Sequence, residues 1–246
     1  MSERTFDETW LAVSDVEGWM TRAQGEALYD AARQTPTRGR IVEIGSFRGR
    51  STIVLASAAP EATEVLAIDP HAGNDRGPEE ISGFEDAADA DHDAFAANLA
   101  AAGVADRVIH LRMFSDAALG AVDGAVDVLY IDGAHRYAPA RADIRDWGRR
   151  VADGGTLLIH DSFSSVGVTL AIMRELVPSR RFRYVGRSRS LAVYRADLDR
   201  RRASNALRQL AQLPWFVKNV TLKMLLKLGL GSVLRRFGRD VPEWPY

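Results

Sequence analysis

Apolar residues along the chain come in short runs of strand length, separated by longer polar stretches with helical character. Residues 41–44, 65–68, 108–112, 126–131 and 156–159 are such runs, and a polar or glycine residue, Gly45, Asp69, Ser115, Asp132 or His160, stands at or shortly after the end of each. Between them, residues 91–102 and 169–177 read as helices, as does the opening of the segment after residue 49. Residues 182–185 and 191–194 form a closing hairpin around Gly186-Arg187-Ser188-Arg189-Ser190. Residues 6–32 are mostly helical, with Met20 and Thr21 between two pieces, and should cover a sheet edge. Strands alternating with helices predict a doubly wound α/β sheet, mostly parallel, with an antiparallel hairpin at its C-terminal end. Three parts follow: a helical cap over 1–35, the α/β domain over 36–197, and a basic amphipathic tail over 198–246.

Two segments break the alternation. Residues 70–94, PHAGNDRGPEEISGFEDAADADHDA, are acidic and weakly periodic, a long connection of the kind that serves as a lid or substrate loop. In residues 203–237, leucines, valines and phenylalanines alternate with Lys218, Lys223, Lys227, Arg235 and Arg236. A basic amphipathic helix of this kind either lies on an anionic membrane surface or packs on the domain or a second subunit.

The chemistry concentrates where strands end. Residues 41–56 read IVEIGSFRGRSTIVLA, so Glu43, Gly45, Ser46 and Gly49 form a Glu-x-Gly-x-x-x-Gly turn between a strand and a helix. Gly45 can take left-handed backbone angles, Gly49 permits close approach, and Ser51 and Thr52 can satisfy free amides of the opening helical turn. A nicotinamide dinucleotide would need Gly-x-Gly-x-x-Gly around its pyrophosphate, but position 47 is Phe, so the spacing favours a nucleoside cofactor without phosphates. Asp69 follows the second strand, 24 positions after Gly45, near the interval at which such an acid meets a ribose. The fourth strand runs into Asp132-Gly133-Ala134-His135-Arg136-Tyr137 and the fifth into His160-Asp161-Ser162. Asp132, His160 and Asp161 form an oxygen-and-imidazole set suited to Mg²⁺ or Mn²⁺.

Composition narrows the possibilities. With 246 residues, 46% of them hydrophobic, the chain can bury one sizeable core. It has no cysteine, which removes disulfides, thiolate metal sites and cysteine nucleophiles, and suits a reducing cytoplasm. The start MSERTFDETW lacks the basic residues and apolar run of a secretory signal, and no stretch of about 18 apolar residues is present to span a membrane. Residues 199–246 hold ten Lys or Arg against three acids, a net +7 that leaves −8 on residues 1–198. An acidic main domain argues against a nucleic-acid substrate. The expected location is the cytoplasm, with peripheral contact at the inner membrane face through residues 203–237 as one reading of the tail.

The motifs together resemble the class I S-adenosylmethionine-dependent methyltransferases, whose Rossmann-like fold begins with an acidic residue followed by Gly-x-x-x-Gly. The resemblance implies that Glu43 and the turn of Gly45, Ser46, Gly49, Ser51 and Thr52 hold the methionine end of S-adenosyl-L-methionine. It further implies cofactor contacts from Asp69 and Asp132, with Met113, Phe114 and Ser115 bordering the adenine. Asp-Gly-x-His-x-Tyr followed by a Gly-Gly strand ending in His-Asp is similar to the small-molecule O-methyltransferases grouped with cephalosporin hydroxylase-like and macrolide-sugar methyltransferases, over roughly residues 15–195. There Asp132 and Asp161 would be metal ligands and His135 the general base. Metal-dependent sugar methyltransferases carry Glu where this chain has His160, so His160 ligates, or the metal is weakly held, or there is none. The Asn/Asp-Pro-Pro-Tyr motif of base-amino methyltransferases is missing.

The function expected is methylation of a hydroxyl on a saccharide, glycan or other polyhydroxylated small molecule, by a homodimeric enzyme. An NAD(P)-dependent oxidoreductase and a non-catalytic, membrane-associated cofactor-binding module are the alternatives.

Overall fold

The computed structural model describes residues 4–72, 85–197 and 202–227. Seven strands form one sheet: β1 (Arg40–Ile44), β2 (Glu64–Ile68), β3 (Val108–Leu111), β4 (Val126–Ile131), β5 (Val151–Ile159), β6 (Arg183–Ser188) and β7 (Leu191–Arg195). Their order is β3-β2-β1-β4-β5-β7-β6. The first five are parallel, and β7 runs antiparallel to both β5 and β6. The doubly wound sheet with its terminal hairpin, expected from the hydrophobic pattern, is the fold observed.

The central strands β1, β2, β4 and β5 are buried on both faces, so their side chains alternate between two cores. On one face Val42, Leu129 and Leu157 join Trp147, Phe163 and Ile172; on the other Ile41, Tyr130 and Leu158 join Leu28, Ile53 and Phe95. This alternation fixes the register, because a one-residue slip would exchange the two faces. In register, Ile44 lies beside both Ile68 and Ile131, and Ile131 beside Ile159, so the loops after β1, β2, β4 and β5 emerge at one edge.

The N-terminal segment divides into α1 (Phe6–Ala12) and α2 (Arg22–Arg33), each opened by a capping box, Thr5 with Glu8 and Thr21 with Gln24. Between β1 and β2 lies α3 (Arg50–Ala58), and before β3 lies α4 (Glu85–Ala101). Residues 85–90, expected as loop, are therefore helical; their sequence is too polar for a clear hydrophobic period, but alanine favours helix and acids suit its N-terminal turns. Residues 73–84 of the expected lid lie outside the described residues. The short α5 (Ser115–Ala118) precedes β4, α6 (Tyr137–Asp146) follows it, and α7 (Val166–Glu175) follows β5.

Two further helices, α8 (Arg202–Leu210) and α9 (Leu213–Lys227), cover the hairpin edge. The Tyr184 N–H donates to Asn205 Oδ1 at 2.7 Å, and the Arg187 guanidinium lies 3.8 Å over the Trp215 ring while donating to Gln212 Oε1. Trp215 and Phe216 pack against the core. The described part of the tail thus packs on the domain, and residues 228–246, with Arg235 and Arg236, lie outside the described residues. No helix among the described residues is long and apolar enough to cross a membrane.

Candidate active site

The turn after β1 is shaped by two glycines that no other residue would replace without cost. Gly45 has φ 85° and a Cβ there would overlap the Asp132 carbonyl, so the β1 and β4 loops can meet only around a bare backbone. Gly49, with φ 86°, is the N-cap of α3, and its Cβ would fall 2.6 Å from Leu99 Cδ1. Asp69 holds the turn from the β2 side. Its carboxylate accepts from the N–H groups of Ser46 at 2.9 Å, Phe47 at 2.8 Å and His71 at 2.8 Å.

Beneath the turn, Glu43 is fully buried and accepts from the hydroxyls of Ser51 and Thr52. Burial raises its pKa to about 8 against the two hydroxyls, and the charges of Asp132 and Asp69 push the same way.

A cleft of about 270 Å³ opens above these residues at the carboxyl edge of the sheet, where doubly wound sheets bind ligands. Gly45, Ser46, Ser51 and Asp69 line one side, and Phe114, Ser115, Asp132 and His135 the other. Glu43, Gly49, Thr52, Met113, His160 and Asp161 stand behind its wall; Met113 packs against the core, while Phe114 is 61% exposed.

Sequence reasoning missed several lining residues. Residues 17–20, between α1 and α2, form part of the rim, where Trp19 packs against Phe47 at 5.2 Å between centroids with the rings tilted by 34°, and Arg50 donates to the Gly18 carbonyl. Asp143 on α6 also faces the cleft, accepting from the Ser115 hydroxyl, and burial pushes its pKa up to about 6. Its signal was in the sequence: it shares the buried face of α6 with Ala140 and Ile144, a face otherwise apolar.

The ends of β4 and β5 bring the remaining predicted residues together. His135 Nε2 lies 2.8 Å from Asp161 Oδ2. Tyr130 donates its hydroxyl to Asp132 Oδ2 at 2.9 Å, and His160 Nδ1 lies 3.1 Å from Asp132 Oδ1 and 3.5 Å from Asp161 Oδ2. The His160 ring is buried and not aligned for hydrogen bonds to these carboxylates, so its link to them is electrostatic. Burial works against its charge, but Asp132 and Asp161 outweigh it and raise its pKa to about 10. Burial likewise opposes ionisation of Asp161, yet His160 and the His135 contact hold its carboxyl well below the usual range.

Asp132, His135 and Asp161 each offer a ligand atom within 4.8 Å of the others. Two carboxylates and an imidazole at this spacing fit a hard divalent cation. The convergent set thus contains His135, with His160 packed against the carboxylates.

The strand order and the site at the carboxyl edge define the class I methyltransferase fold. Residues 42–162 match a family model described as a methyltransferase domain. The chain carries that domain and is an S-adenosylmethionine-dependent methyltransferase. Among solved structures, it is similar to the O-methyltransferase from Bacillus cereus in complex with SAH, at 18% identity and TM-score 0.55 over 79% of this chain and 90% of that one. It is also similar to the O-methyltransferase TomG from Streptomyces achromogenes, involved in tomaymycin synthesis and solved with SAM, at 18% identity and TM-score 0.53 over 81% and 92%. The O-methyltransferase NovP matches at 16% identity and TM-score 0.56 over 72% and 80%.

Proposed function

We propose that this protein transfers the methyl group of S-adenosylmethionine to a hydroxyl of a saccharide or other polyhydroxylated small molecule, with His135 as general base. The observation that carries the proposal is the 2.8 Å contact between His135 Nε2 and Asp161 Oδ2 beside the cleft. A neutral imidazole donating from Nε2 to that carboxylate keeps Nδ1 as its basic atom, and Asp161 stabilises the ring once it takes a proton. The O-methyltransferases among the structural neighbours, TomG with its link to tomaymycin synthesis included, support a small-molecule acceptor.

S-adenosylmethionine supplies an electrophilic sulfonium methyl. The protein must then bind the donor, aim the acceptor oxygen at that methyl and remove the oxygen's proton. In this reading Ser46 and Ser51 on the glycine turn bind the methionine end, Asp69 keeps acceptor capacity for a ribose hydroxyl, and Phe114 with Ser115 borders the adenine. Gly45 gives the close approach, while Glu43, Thr52 and Gly49 shape the turn from behind and Met113 supports the adenine side from the core.

Of the convergent set Asp132, His135 and Asp161, the two carboxylates would hold Mg²⁺ or Mn²⁺ while His135 is kept as the base. Such an ion would supply Lewis acidity, lowering the pKa of the acceptor hydroxyl. His135 receives the proton with or without it.

S-adenosylhomocysteine should raise the melting temperature, and NAD(P)H should not; stabilisation by the nicotinamide alone would refute the cofactor assignment. Replacing His135 by Ala should lower transfer by at least ~100-fold while cofactor affinity stays within about twofold; unchanged transfer would remove His135 as base.

A further inference from the structure

The turn after β5 carries Asp161, and its backbone is unusual. Asp161 and Phe163, neither of them glycine, have φ of 52° and 55°. Left-handed backbone is uncommon at residues other than glycine, least favoured at a bulky one such as Phe163, and persists where the surroundings impose it. The Ser164 and Ser165 N–H groups donate to the Asp161 carbonyl at 3.1 and 2.9 Å, and the Ser162 N–H donates to the Ser190 carbonyl at 2.8 Å. These bonds close the turn from within and from the hairpin. The carbonyls of Phe163 and Ser164 are held from a third direction, α9.

Asn219 and Lys223 lie four residues apart and so share one face of α9. Asn219 is buried, and its Nδ2 donates to the Phe163 carbonyl at 3.3 Å. The Lys223 Nζ donates to the Ser164 carbonyl at 3.2 Å and to the Ser164 hydroxyl at 3.1 Å. Its charge is also within electrostatic reach of Asp161. Two successive helical turns of the tail thus grip two successive peptides of the loop that presents Asp161. The match to the methyltransferase domain ends at residue 162, so this grip comes from outside that segment.

We infer that α9 is a working part of the acceptor site: Asn219 and Lys223 are positioning residues that hold the 161–165 turn so that Asp161 orients His135. The inference rests on the His135–Asp161 reading given above. It gives the basic tail a role in catalysis. Losing either grip lets the turn relax from its left-handed angles, and Asp161 then no longer fixes which nitrogen of His135 carries the proton.

The test needs no acceptor. The full-length protein, labelled with ¹⁵N-histidine and saturated with S-adenosylhomocysteine, is studied by NMR at pH 8. The chain has five histidines, so the His135 signals are identified by their loss in His135→Gln. The native spectrum should show His135 fixed in the Nε2–H form. Lys223→Met and Asn219→Ala should each shift it to a mixture of tautomers, with affinity for S-adenosylhomocysteine kept within about threefold, and Lys223→Arg should restore the native signature. An unchanged His135 spectrum in both variants would overturn the inference. So would loss of S-adenosylhomocysteine binding in both, which would assign α9 to general stability. A native spectrum without a fixed tautomer would instead overturn the His135–Asp161 reading, and this inference with it.

Discussion

Glu43 shows how far the role of a residue can stand from the place its motif suggests. Its position at the head of the glycine turn is legible in the sequence, and the resemblance implies contact with the cofactor. The fold instead seals it beneath the turn with Ser51 and Thr52. A linear motif does not show which face of a strand an acid takes when the strand is covered on both sides. The consequence is measurable. In the folded protein its pKa is about 8 against an ordinary value of 4.5, so between these limits the folded state binds more protons than the unfolded chain. The contribution of Glu43 to stability then falls as pH rises through that window, with a limiting slope of about 1.4 kcal/mol per pH unit. Asp143, raised to about 6, adds to the fall at the acidic end. Denaturant unfolding at pH 5, 6.5 and 8 should show the stability of the native protein falling relative to that of Glu43→Gln as pH rises. Equal slopes would show that Glu43 is ionised in the fold.

At the scale of elements, the strands were the most legible part. Buried parallel strands must be short apolar runs, and glycines or acids mark where each meets the site edge. Asp132, His135, His160 and Asp161 could be placed at one edge for that reason. What the pattern could not give was which of them touch. Two histidines and two aspartates at adjacent strand ends allow several pairings, and only the fold shows that His135 meets Asp161 while His160 lies between Asp132 and Asp161. The rim was equally hidden, because Trp19 lies between two helices and meets Phe47 only through the fold. Two substitutions test the elements that frame the cleft. Gly45→Ala should destabilise by more than about 2 kcal/mol and weaken S-adenosylhomocysteine binding, since both the left-handed angle and the Asp132 carbonyl oppose a methyl group. Trp19→Ala should raise the dissociation constant for S-adenosylhomocysteine by roughly threefold to tenfold, the worth of one aromatic pair. Calorimetry with the same ligand checks both, and native affinity in Gly45→Ala would show that the turn is not the cofactor site.

Under the proposed function the molecule divides its work across the sheet edge: the glycine turn and the rim serve the cofactor, and the ends of β4 and β5, against which α9 packs, serve the acceptor. The tail was read from composition as a membrane-facing or packing helix. The structure packs its described part on the domain, with Leu207, Val217 and Met224 left exposed. Charge could not separate those readings, because Lys223 points inward to Ser164 while remaining a lysine in any pattern. The cation is a further whole-site question. If Asp132 and Asp161 hold a divalent ion during turnover, EDTA should lower the rate at least tenfold and Mg²⁺ or Mn²⁺ should restore it; full activity after EDTA would leave the base to act alone.

In the proposed reaction the methyl group passes to a hydroxyl oxygen whose proton His135 removes. Methyl-labelled S-adenosylmethionine, offered with a panel of saccharides and other polyhydroxylated molecules to the native protein and to His135→Ala, tests it most directly. The expected result is label on an acceptor oxygen with the native protein and essentially none with the variant. Label on nitrogen, or equal labelling by both proteins, would contradict it.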